Sequence, residues 1–420
     1  MAEPRQIDLL VSPCGELATP LGSTPRGGAS LSAIHVEKDA AIACDAGQIL
    51  EVGPAADLAA RYSPREVLDA SSGTVIPGLV DSHTHPVFFG TREEEFEQRI
   101  AGASYVDIAR AGGGIASSLE GVRSATQAEL VAGLLVRLDR FLALGTTTVE
   151  AKTGYGLTLE DELKGLETIA EADRLHGVDL VPTCLAAHDY PPEFRDRPRD
   201  YERIVIEEIW PEVARRGLAR YADVFTEAHV FDLEASRRIM EAARDQGLGL
   251  RMHVDQLTPL GGAELAASLG ARSADHLEHV SEEGIAALSE AGVVPVLCPV
   301  VPLYLRETAE APARRMVEAG LAPALSTDYN PGSCYLQSLF EVMSWSALRY
   351  GFSAAEALTA ATLNAAASVD LAGDRGTIEV GKRADLVVTD LPGHLHLTYE
   401  LGRSPVRAVV KNGQIAYRSA

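Results

Sequence analysis

Five histidines and one aspartate follow short apolar segments of this chain, and their side chains are of the types that bind metal ions. His83 and His85 lie two residues apart, after the apolar segment 75–80. Side chains at positions i and i+2 of an extended chain point the same way, so both imidazoles could hold one ion. Four further side chains follow later apolar segments: His188, His253, His276 and Asp328. Three or four such ligands, with one position left for water, are typical of a metal ion that activates water for hydrolysis.

A single histidine of this kind is more often a core, capping or surface residue, so the metal hypothesis rests on the whole set. Lys152 is open to two interpretations, a lysine packed in the core or one whose ammonium group reaches the site. Glu227 also follows an apolar segment. For His229, two residues further on, we predict no role.

The elements that would position these side chains alternate between strands and helices, which predicts a parallel sheet. The predicted strands are 75–80, 146–152, 178–187, 222–227, 248–254, 272–277, 293–298 and 322–327, and the predicted helices include 126–145, 160–176, 201–216, 235–246, 260–269 and 281–291. Eight such units predict a closed (β/α)8 barrel, in which the carboxyl ends of the strands meet on one face and bring the candidate residues together. A doubly wound open sheet is the alternative, but the glycine-rich phosphate loop that usually follows its first strand is absent from the sequence.

Both ends of the chain contain short β-strand candidates separated by Gly, Pro and Ser. Asn412-Gly413, between two apolar runs, is a strong signal for a two-residue hairpin. Neither end has enough apolar surface for a core of its own. We therefore predict that residues 1–75 and 380–420 fold together into a small β-sandwich domain, and that residues 76–379 form the barrel.

Composition and charge exclude several classes of function. The 420 residues carry a formal net charge of -23, which repels nucleic acids and anionic lipids, so we expect neither as a partner. The five cysteines are scattered without a C-x-x-C pair, as in a reducing compartment. The sequence has no apolar run of membrane-spanning length and no signal-peptide pattern at its start, so a cytoplasmic protein is expected.

Longer motifs surround the candidate residues. They are Pro77–His85, Arg99–Tyr105, Ile108–Ile115, Glu150–Gly156, Gly261–Leu265, Ser273–Glu278, Thr327–Ser333 and Gly381–Leu386. Over nearly the whole chain, this set resembles the amidohydrolase superfamily and, within it, the imidazolonepropionase family. The resemblance implies hydrolytic opening of the ring of 4-imidazolone-5-propanoate to N-formimidoyl-L-glutamate, a step of histidine degradation, by metal-activated water. The substrate would be a small anionic heterocycle and the enzyme a homodimer.

The resemblance also implies residue roles at the metal. One divalent or trivalent ion would be held by four ligands: His83, His85, His253 and Asp328. Relatives with two metal ions keep a carbamylated lysine on the fourth strand, where this chain has Glu227, so a single ion is expected. Zinc fits this ligand set, and ferrous or ferric iron would fit as well.

The remaining implied roles concern the substrate and the proton transfers. Substrate contacts are expected from Arg92, Tyr105, Tyr155, His188 and Gln256. A planar guanidinium such as that of Arg92 is suited to bind the propionate carboxylate through two hydrogen bonds. His276 or Asp328 would take the proton of the attacking water. The sequence leaves open which of the two does so.

Gln256 departs from the pattern of deaminating relatives, which have glutamate three residues after the histidine ligand. An amide cannot deliver a proton and can only orient its neighbours, which argues against a glutamate-dependent deaminase. Two alternatives remain. The chain could hydrolyse a related five-membered cyclic amide, such as a modified imidazolone or hydantoin-like ring, or it could be an inactive barrel that serves as a binding scaffold. The presence of all four predicted ligands argues against the scaffold.

Overall fold

The computed structural model of the chain describes residues 3–104, 108 and 112–419. The two ends of the chain form one mixed sheet of eight strands. They are Arg5–Pro20 (β1), Ile34–Glu37 (β2), Ala40–Asp45 (β3), Gln48–Pro54 (β4), Tyr62–Pro77 (β5), Leu386–Thr389 (β14), Val406–Lys411 (β15) and Gln414–Arg418 (β16). β1 pairs in parallel with β5 and antiparallel with β2 and β3, and β14 joins the C-terminal strands to β5. Buried apolar residues of β1, β3, β5, β14 and β15 pack into a core of their own.

The predicted hairpin near the C-terminus is confirmed. It joins β15 to β16 through Asn412 and Gly413, whose φ angles are 50° and 73°. Two successive left-handed residues give a turn with the twist that a two-residue hairpin requires, and Asn followed by Gly adopts this conformation at low cost.

Eight further strands form the parallel sheet of a barrel. They are Leu79–Thr84 (β6), Thr146–Lys152 (β7), Asp179–Ala187 (β8), Tyr221–Thr226 (β9), Gly249–Val254 (β10), Ser273–His276 (β11), Val294–Leu297 (β12) and Ala324–Leu325 (β13). Each strand pairs with the next one along the chain. The last strand returns to the first, because the Asp328 N–H donates to the His83 carbonyl at 3.1 Å and the His85 N–H to the Tyr329 carbonyl at 2.8 Å. The predicted (β/α)8 barrel with a small domain built from both chain ends is therefore confirmed.

Helices connect the strands and pack around them. The main helices that accompany the barrel strands are Glu93–Ile100 (α2), Ile115–Ser124 (α3), Gln127–Ala143 (α4), Leu159–Leu175 (α5), Pro198–Ile204 (α6), Trp210–Arg216 (α7), Leu233–Asp245 (α8), Gly262–Leu269 (α9), Glu282–Ala291 (α10) and Leu339–Tyr350 (α13). Shorter helices are Ala55–Arg61 (α1), Val301–Leu305 (α11), Ala313–Glu318 (α12), Ala354–Thr359 (α14) and Ala365–Ser368 (α15), with π-helical turns at Val205–Ile209 and Ala360–Asn364 and 3₁₀ turns at Gly28–Ser30, Pro192–Phe194 and His394–Leu397.

Local sequence explains where several of these helices begin and end. Thr126 and Glu129 form the predicted capping box at the start of α4, each side chain accepting the other's backbone N–H. The helix is followed by Gly145, whose φ of 89° suits glycine. None of the helices in the described part of the chain is long and apolar enough to cross a membrane.

The strand predicted over residues 75–80 is wrong in its bounds. Val75–Pro77 belongs to β5 of the end sheet, where Pro77 lies opposite Leu386, and β6 of the barrel begins only at Leu79. Gly78 lies where the chain passes from the end sheet into the barrel. Glycine is needed there, because a Cβ would lie 2.3 Å from Thr147 Oγ1. The bounds of the two domains, 1–75 with 380–420 and 76–379, stay a prediction.

Candidate metal centre and active site

The candidate residues gather in one pocket at the carboxyl ends of the barrel strands. Eight of them line it: His85, Arg92, Tyr155, His188, His253, Gln256, His276 and Asp328. His83 is fully buried beside them. Tyr105, the remaining predicted substrate contact, lies outside the described residues. The pocket is also lined by Asn330 and Ser333, from the loop after β13.

Nitrogen and oxygen atoms converge at the base of this pocket. Asp328 Oδ1 lies 3.5 Å from His83 Nε2 and 3.3 Å from His85 Nε2. His85 Nε2 and His253 Nε2 are 3.4 Å apart. Donor atoms of His83, His85 and His253 lie within 4.8 Å of one another, as do those of His83, His276 and Asp328. Such spacing leaves a place for one ion among the donor atoms.

Hydrogen bonds on the far side of two rings set which nitrogen can bind an ion. His83 Nδ1 donates to Asp275 Oδ2 at 2.6 Å, and His253 Nδ1 donates to Asp223 Oδ1 at 3.1 Å. With the proton on Nδ1, each Nε2 carries a lone pair that faces the pocket. His83 Nε2 is buried and has no hydrogen-bond partner in the described part of the chain. Two lone pairs and a carboxylate that face one another fit a cation between them, as in carboxylate–histidine–metal arrangements.

Burial keeps the imidazoles in the form that a metal needs. It lowers the pKa of His83 and of His85 well below the usual value of 6.5, so both are neutral. A neutral imidazole is the form that binds metal ions.

Beneath the imidazoles lie five fully buried charged side chains, here called the buried ion network: Glu150, Lys152, Asp223, Arg251 and Asp275. Lys152 Nζ lies 3.0 Å from Glu150 Oε1 and 2.7 Å from Asp223 Oδ2. Arg251 Nη2 lies 3.2 Å from Asp275 Oδ2. Burial would raise the pKa of Asp223, but His253 and Lys152 hold it well below its usual range. The network therefore presents an ionised carboxylate to His253, and Asp275 presents its carboxylate to His83.

The charges of this group have a consequence for the ion. The buried ion network holds three carboxylates and two cations, and Asp328 adds a further carboxylate beside the donor atoms. Burial raises the pKa of Asp328, and a cation among the donor atoms would stabilise its charged form. Charges buried without such balance are costly, so the donor set fits a metal ion on electrostatic grounds as well as by geometry.

The backbone is strained at two residues of the site. His276 has a φ of 80° and Asp328 a φ of 50°, in the left-handed region that such residues rarely adopt. Asn330 Nδ2 donates to the Asp328 carbonyl at 2.7 Å, and Asn330 Oδ1 accepts from the Gly332 and Ser333 N–H groups. These bonds brace the loop that aims Asp328 at the imidazoles. Strain of this kind costs about 1–3 kcal/mol per residue and is found mostly at functional sites.

The Lys152–Gly156 motif positions another side of the pocket. Gly154, with a φ of 108°, presents its carbonyl to His188 Nδ1 at 2.9 Å. A Cβ at Gly154 would lie 2.9 Å from that nitrogen, so only glycine allows the approach. The His188 ring stacks on the His85 ring, with ring centroids 5.1 Å apart, and the ring centroids of Tyr155 and His188 are 5.3 Å apart. The bond to a carbonyl places the His188 proton on Nδ1 and leaves Nε2 as an acceptor.

Glu227, the residue after β9, binds a loop through its carboxylate. Its carboxylate accepts from the Leu257 N–H at 2.7 Å and the Thr258 hydroxyl at 2.5 Å. The loop held in this way carries Gln256 into the pocket. His229 is exposed.

Arg92 is ion-paired within the protein. Its Nε and Nη2 donate to Glu95 Oε2 at 3.0 and 2.6 Å. Gly332 packs against the guanidinium, since a Cβ there would lie 2.0 Å from Arg92 Nη1. The sequence alone does not predict this contact with Glu95.

Sequence analysis also missed most of the buried ion network; of its members, only Lys152 was considered for the site. A signal was present. Charged or histidine side chains occupy alternate positions of the predicted strands, as in Glu150-Ala-Lys152 and Arg251-Met-His253. Alternate residues of a strand face the same side, so these pairs point into the barrel.

The barrel and its donor set define the class of protein, and comparison with known families agrees. The family model described as Amidohydrolase family matches residues 74–416. An imidazolonepropionase of Symbiobacterium thermophilum is 46% identical over 415 residues, which cover 98% of this chain and 97% of that protein. One from Porphyromonas gingivalis is 42% identical over 421 residues, 99% of both chains. The chain therefore belongs to the amidohydrolase family and, within it, to the imidazolonepropionases.

Solved structures support the fold. An adenosine deaminase from Xanthomonas campestris with bound zinc is 22% identical, with a TM-score of 0.66 over 98% of this chain and 93% of that one. The E. coli guanine deaminase is 17% identical, with a TM-score of 0.69 over 98% and 100% of the two chains. At these identities the likeness concerns the architecture alone.

Proposed function

We propose that the chain is a cyclic-amide hydrolase that opens the ring of 4-imidazolone-5-propanoate to give N-formimidoyl-L-glutamate in histidine degradation. The observation that carries the proposal is the pocket itself. Four donor side chains converge at its base, and Arg92 lines the same cavity. The identity with imidazolonepropionases over the full chain supports this substrate over other five-membered cyclic amides.

One metal ion would be held by His83, His85, His253 and Asp328. Zinc fits three imidazoles and one carboxylate, and ferrous or ferric iron also fits. The excess of buried carboxylates over buried cations around the donor atoms favours a cation there. When bound, such an ion would lower the pKa of a water molecule and polarise the ring carbonyl.

His276 is the general base in this proposal. One of its ring nitrogens lies within 4.8 Å of an oxygen of Asp328. Burial lowers the pKa of His276 to about 3, which keeps its imidazole neutral but makes it a weak base. It would therefore accept a proton only from a water molecule whose own pKa a bound metal ion has lowered. The same ring can then return that proton to the leaving nitrogen. Asp328 is the alternative base.

The other lining residues bind and orient the substrate. Arg92 binds the propionate carboxylate through charged hydrogen bonds. His188 Nε2 accepts a hydrogen bond from a ring N–H, because its own proton is on Nδ1. Tyr155 packs against His188 and contributes one wall. Gln256 orients the ring through its amide without transferring a proton. The role of Tyr105, the homodimer and the cytoplasmic location stay predictions.

A turnover assay tests the proposal. Loss of ring absorbance of freshly made 4-imidazolone-5-propanoate is followed with zinc-loaded protein, with chelator-treated protein and with Arg92→Ala. We expect activity that is lost on chelation and restored by zinc. Arg92→Ala should lower kcat/KM by about 10–100-fold, the value of a charged hydrogen bond.

Arg197→Ala is the matched control, since Arg197 is exposed and pairs only with Asp200 among the described residues. It should leave kcat/KM unchanged. Absence of turnover with one equivalent of metal bound would reject this substrate and direct the search to related five-membered cyclic amides.

A further inference from the structure

We propose that Glu95 is a positioning residue, which fixes the orientation of the Arg92 guanidinium and thereby selects substrates with a carboxylate on their side chain. The inference rests on the proposed function, because it takes Arg92 as the anchor of the propionate group.

The contact between the two side chains leaves the guanidinium a single orientation. Arg92 immediately precedes α2, and Glu95 lies in the first turn of that helix. A single carboxylate oxygen, Oε2, accepts from both Nε and Nη2 of Arg92. Because the guanidinium is planar and rigid, fixing two of its nitrogens fixes the plane and the direction of Nη1. Only 6% of the Arg92 side chain and 10% of the Glu95 side chain are exposed, so water competes little for these bonds.

Glu95 is itself held from a second element. Its Oε1 accepts from the Ser117 hydroxyl at 2.7 Å, and its carboxylate accepts from the Gly114 N–H at 3.2 Å. Gly114 is the N-cap of α3, with a φ of 73°, and Ser117 lies in the first turn of that helix. The carboxylate therefore joins α2 to α3 and cannot turn without breaking bonds to both. Gly114, near the end of the Ile108–Ile115 motif, therefore helps to hold the Glu95 carboxylate.

On its other side, the Arg92 guanidinium packs against Gly332, which has no side chain. Any larger residue there would collide with Nη1. The Gly332 carbonyl in turn accepts from Arg99 Nη2 at 2.7 Å. A guanidinium between a fixed carboxylate and a fixed backbone segment presents a fixed set of donors to the pocket, which suits recognition of a carboxylate group by geometry.

Charge alone would predict a different arrangement. Glu95 offsets the positive charge of Arg92, and burial, which would raise the pKa of Glu95, is outweighed by Arg92 and Ser117, so that the carboxyl stays ionised. A site built only to attract an anion would leave the cation unbalanced. The ion pair with Glu95 weakens the attraction of Arg92 for an anion but fixes the orientation of its guanidinium, as expected of a positioning contact.

Glu95→Gln tests this proposal because glutamine keeps the shape of the Glu95 side chain but not its charge. An amide has one accepting oxygen, so either its NH₂ group faces the donors of Arg92 or it faces the donors of Gly114 and Ser117. In both cases two donors oppose each other, and the hold on Arg92 weakens. Glu94→Gln is the matched control, since Glu94 is the exposed neighbour in the same turn.

The measurement compares 4-imidazolone-5-propanoate with its neutral propionamide analogue, on zinc-loaded wild type, Glu95→Gln, Arg92→Ala and the double variant. We expect Glu95→Gln to lower kcat/KM for the propanoate by about tenfold or more, mainly through KM, and for the amide by less than about twofold. In the Arg92→Ala background the further loss should also stay below about twofold, since the two residues act as a unit. Glu94→Gln should match wild type with both substrates.

Equal losses with both substrates would overturn the proposal and make Glu95 a purely structural link between α2 and α3. Additive losses in the double variant would overturn it too. If Arg92→Ala leaves the propanoate reaction unchanged, the anchor assigned under the proposed function is wrong instead. Should Glu95→Gln fail to fold, Glu95→Asp, which keeps the charge but retracts it, is measured in its place, with the same loss on the propanoate alone expected.

Discussion

Replacing Asp275 by asparagine should weaken metal binding, although Asp275 is not itself a proposed ligand. Its Oδ2 accepts the Nδ1 proton of His83 at 2.6 Å and also lies 3.2 Å from Arg251 Nη2. Asparagine can still accept the His83 proton, but the bond loses its charge. Charged hydrogen bonds contribute about 1.5–3 kcal/mol and neutral ones about 0.5–1.5 kcal/mol, so the loss at His83 is about 1–1.5 kcal/mol.

A second contribution comes from the charge of the buried groups. Without Asp275, the groups around the ion lose one carboxylate, which weakens their attraction for a divalent cation. The two effects together predict an affinity about 10–100-fold weaker, equal to about 1.4–2.8 kcal/mol, which is the usual effect of removing such an outer partner. Arg251 keeps its bonds to the carbonyls of Ser82 and Ser368, so the metal-free protein should lose about 3 kcal/mol of stability, the lower end for a broken buried pair.

The assay is competition for zinc between metal-free protein and a chromophoric chelator, with urea unfolding of the metal-free protein as the second measurement. Asp200→Asn is the control, because Asp200 is half-buried and its side chain pairs at the surface with Arg197, far from the buried ion network. It should bind zinc like wild type and change the free energy of unfolding by less than about 0.5 kcal/mol. A zinc affinity of Asp275→Asn within about twofold of wild type would refute the reasoning. Packing alone would then orient His83, and the buried charge would have no part in holding the ion.

Three further predictions follow from single contacts. Burial raises the pKa of Glu278 from its usual 4.5 to about 8, so between these values the folded chain keeps a proton that the unfolded chain releases, and stability falls as the pH rises. Glu278→Gln should remove this dependence of the free energy of unfolding on pH, which is at most about 1.4 kcal/mol per pH unit. Urea titrations at several pH values measure it, and the same pH dependence in both proteins would contradict the prediction. Gly332→Ala should displace Arg92 and raise KM for the propanoate by about tenfold, while thermal unfolding stays close to wild type; an unchanged KM would show that Arg92 is not needed in this position. Thr126→Ala removes the cap that accepts the Glu129 N–H and should lower the free energy of unfolding by about 1 kcal/mol in urea titrations, with KM unchanged.

The sequence predicted the barrel well because its strands and helices differ locally. Caps such as Thr126, glycines such as Gly145 and apolar runs mark the elements without knowledge of their neighbours. The histidines could be placed together because a parallel barrel brings all strand ends to one face. The first strand was misplaced because β5 and β6 form one continuous apolar segment, and only the close approach of Gly78 to Thr147 shows where one sheet passes into the other.

The buried ion network could not be predicted in the same way. Its contacts cross the inside of the barrel, where a layer of side chains comes from alternate strands. Lys152 on β7 reaches Asp223 on β9 and lies 3.8 Å from Asp275 on β11, and none of these three strands pairs with another of the three. Which charges meet depends on the register and tilt of strands far apart in the chain. A lysine within an apolar strand therefore has two interpretations until the structure shows its partners.

The site divides into two parts that are supported by different elements. The imidazoles of His83 and His253 are oriented from below by carboxylates on barrel strands, which are fixed by the sheet itself. Arg92 is oriented from the side by Glu95, on helices inserted between β6 and β7. Because strands of a closed barrel can move only together, the first part preserves the geometry of the ion. The second part can change without disturbing the first, since Glu95 bonds to α2 and α3 and to none of the proposed ligands among the described residues. A barrel of this kind can therefore exchange the group that recognises the substrate while it retains the chemistry of water activation. On the proposed function, this separation would place specificity at the side-chain carboxylate more than at the ring.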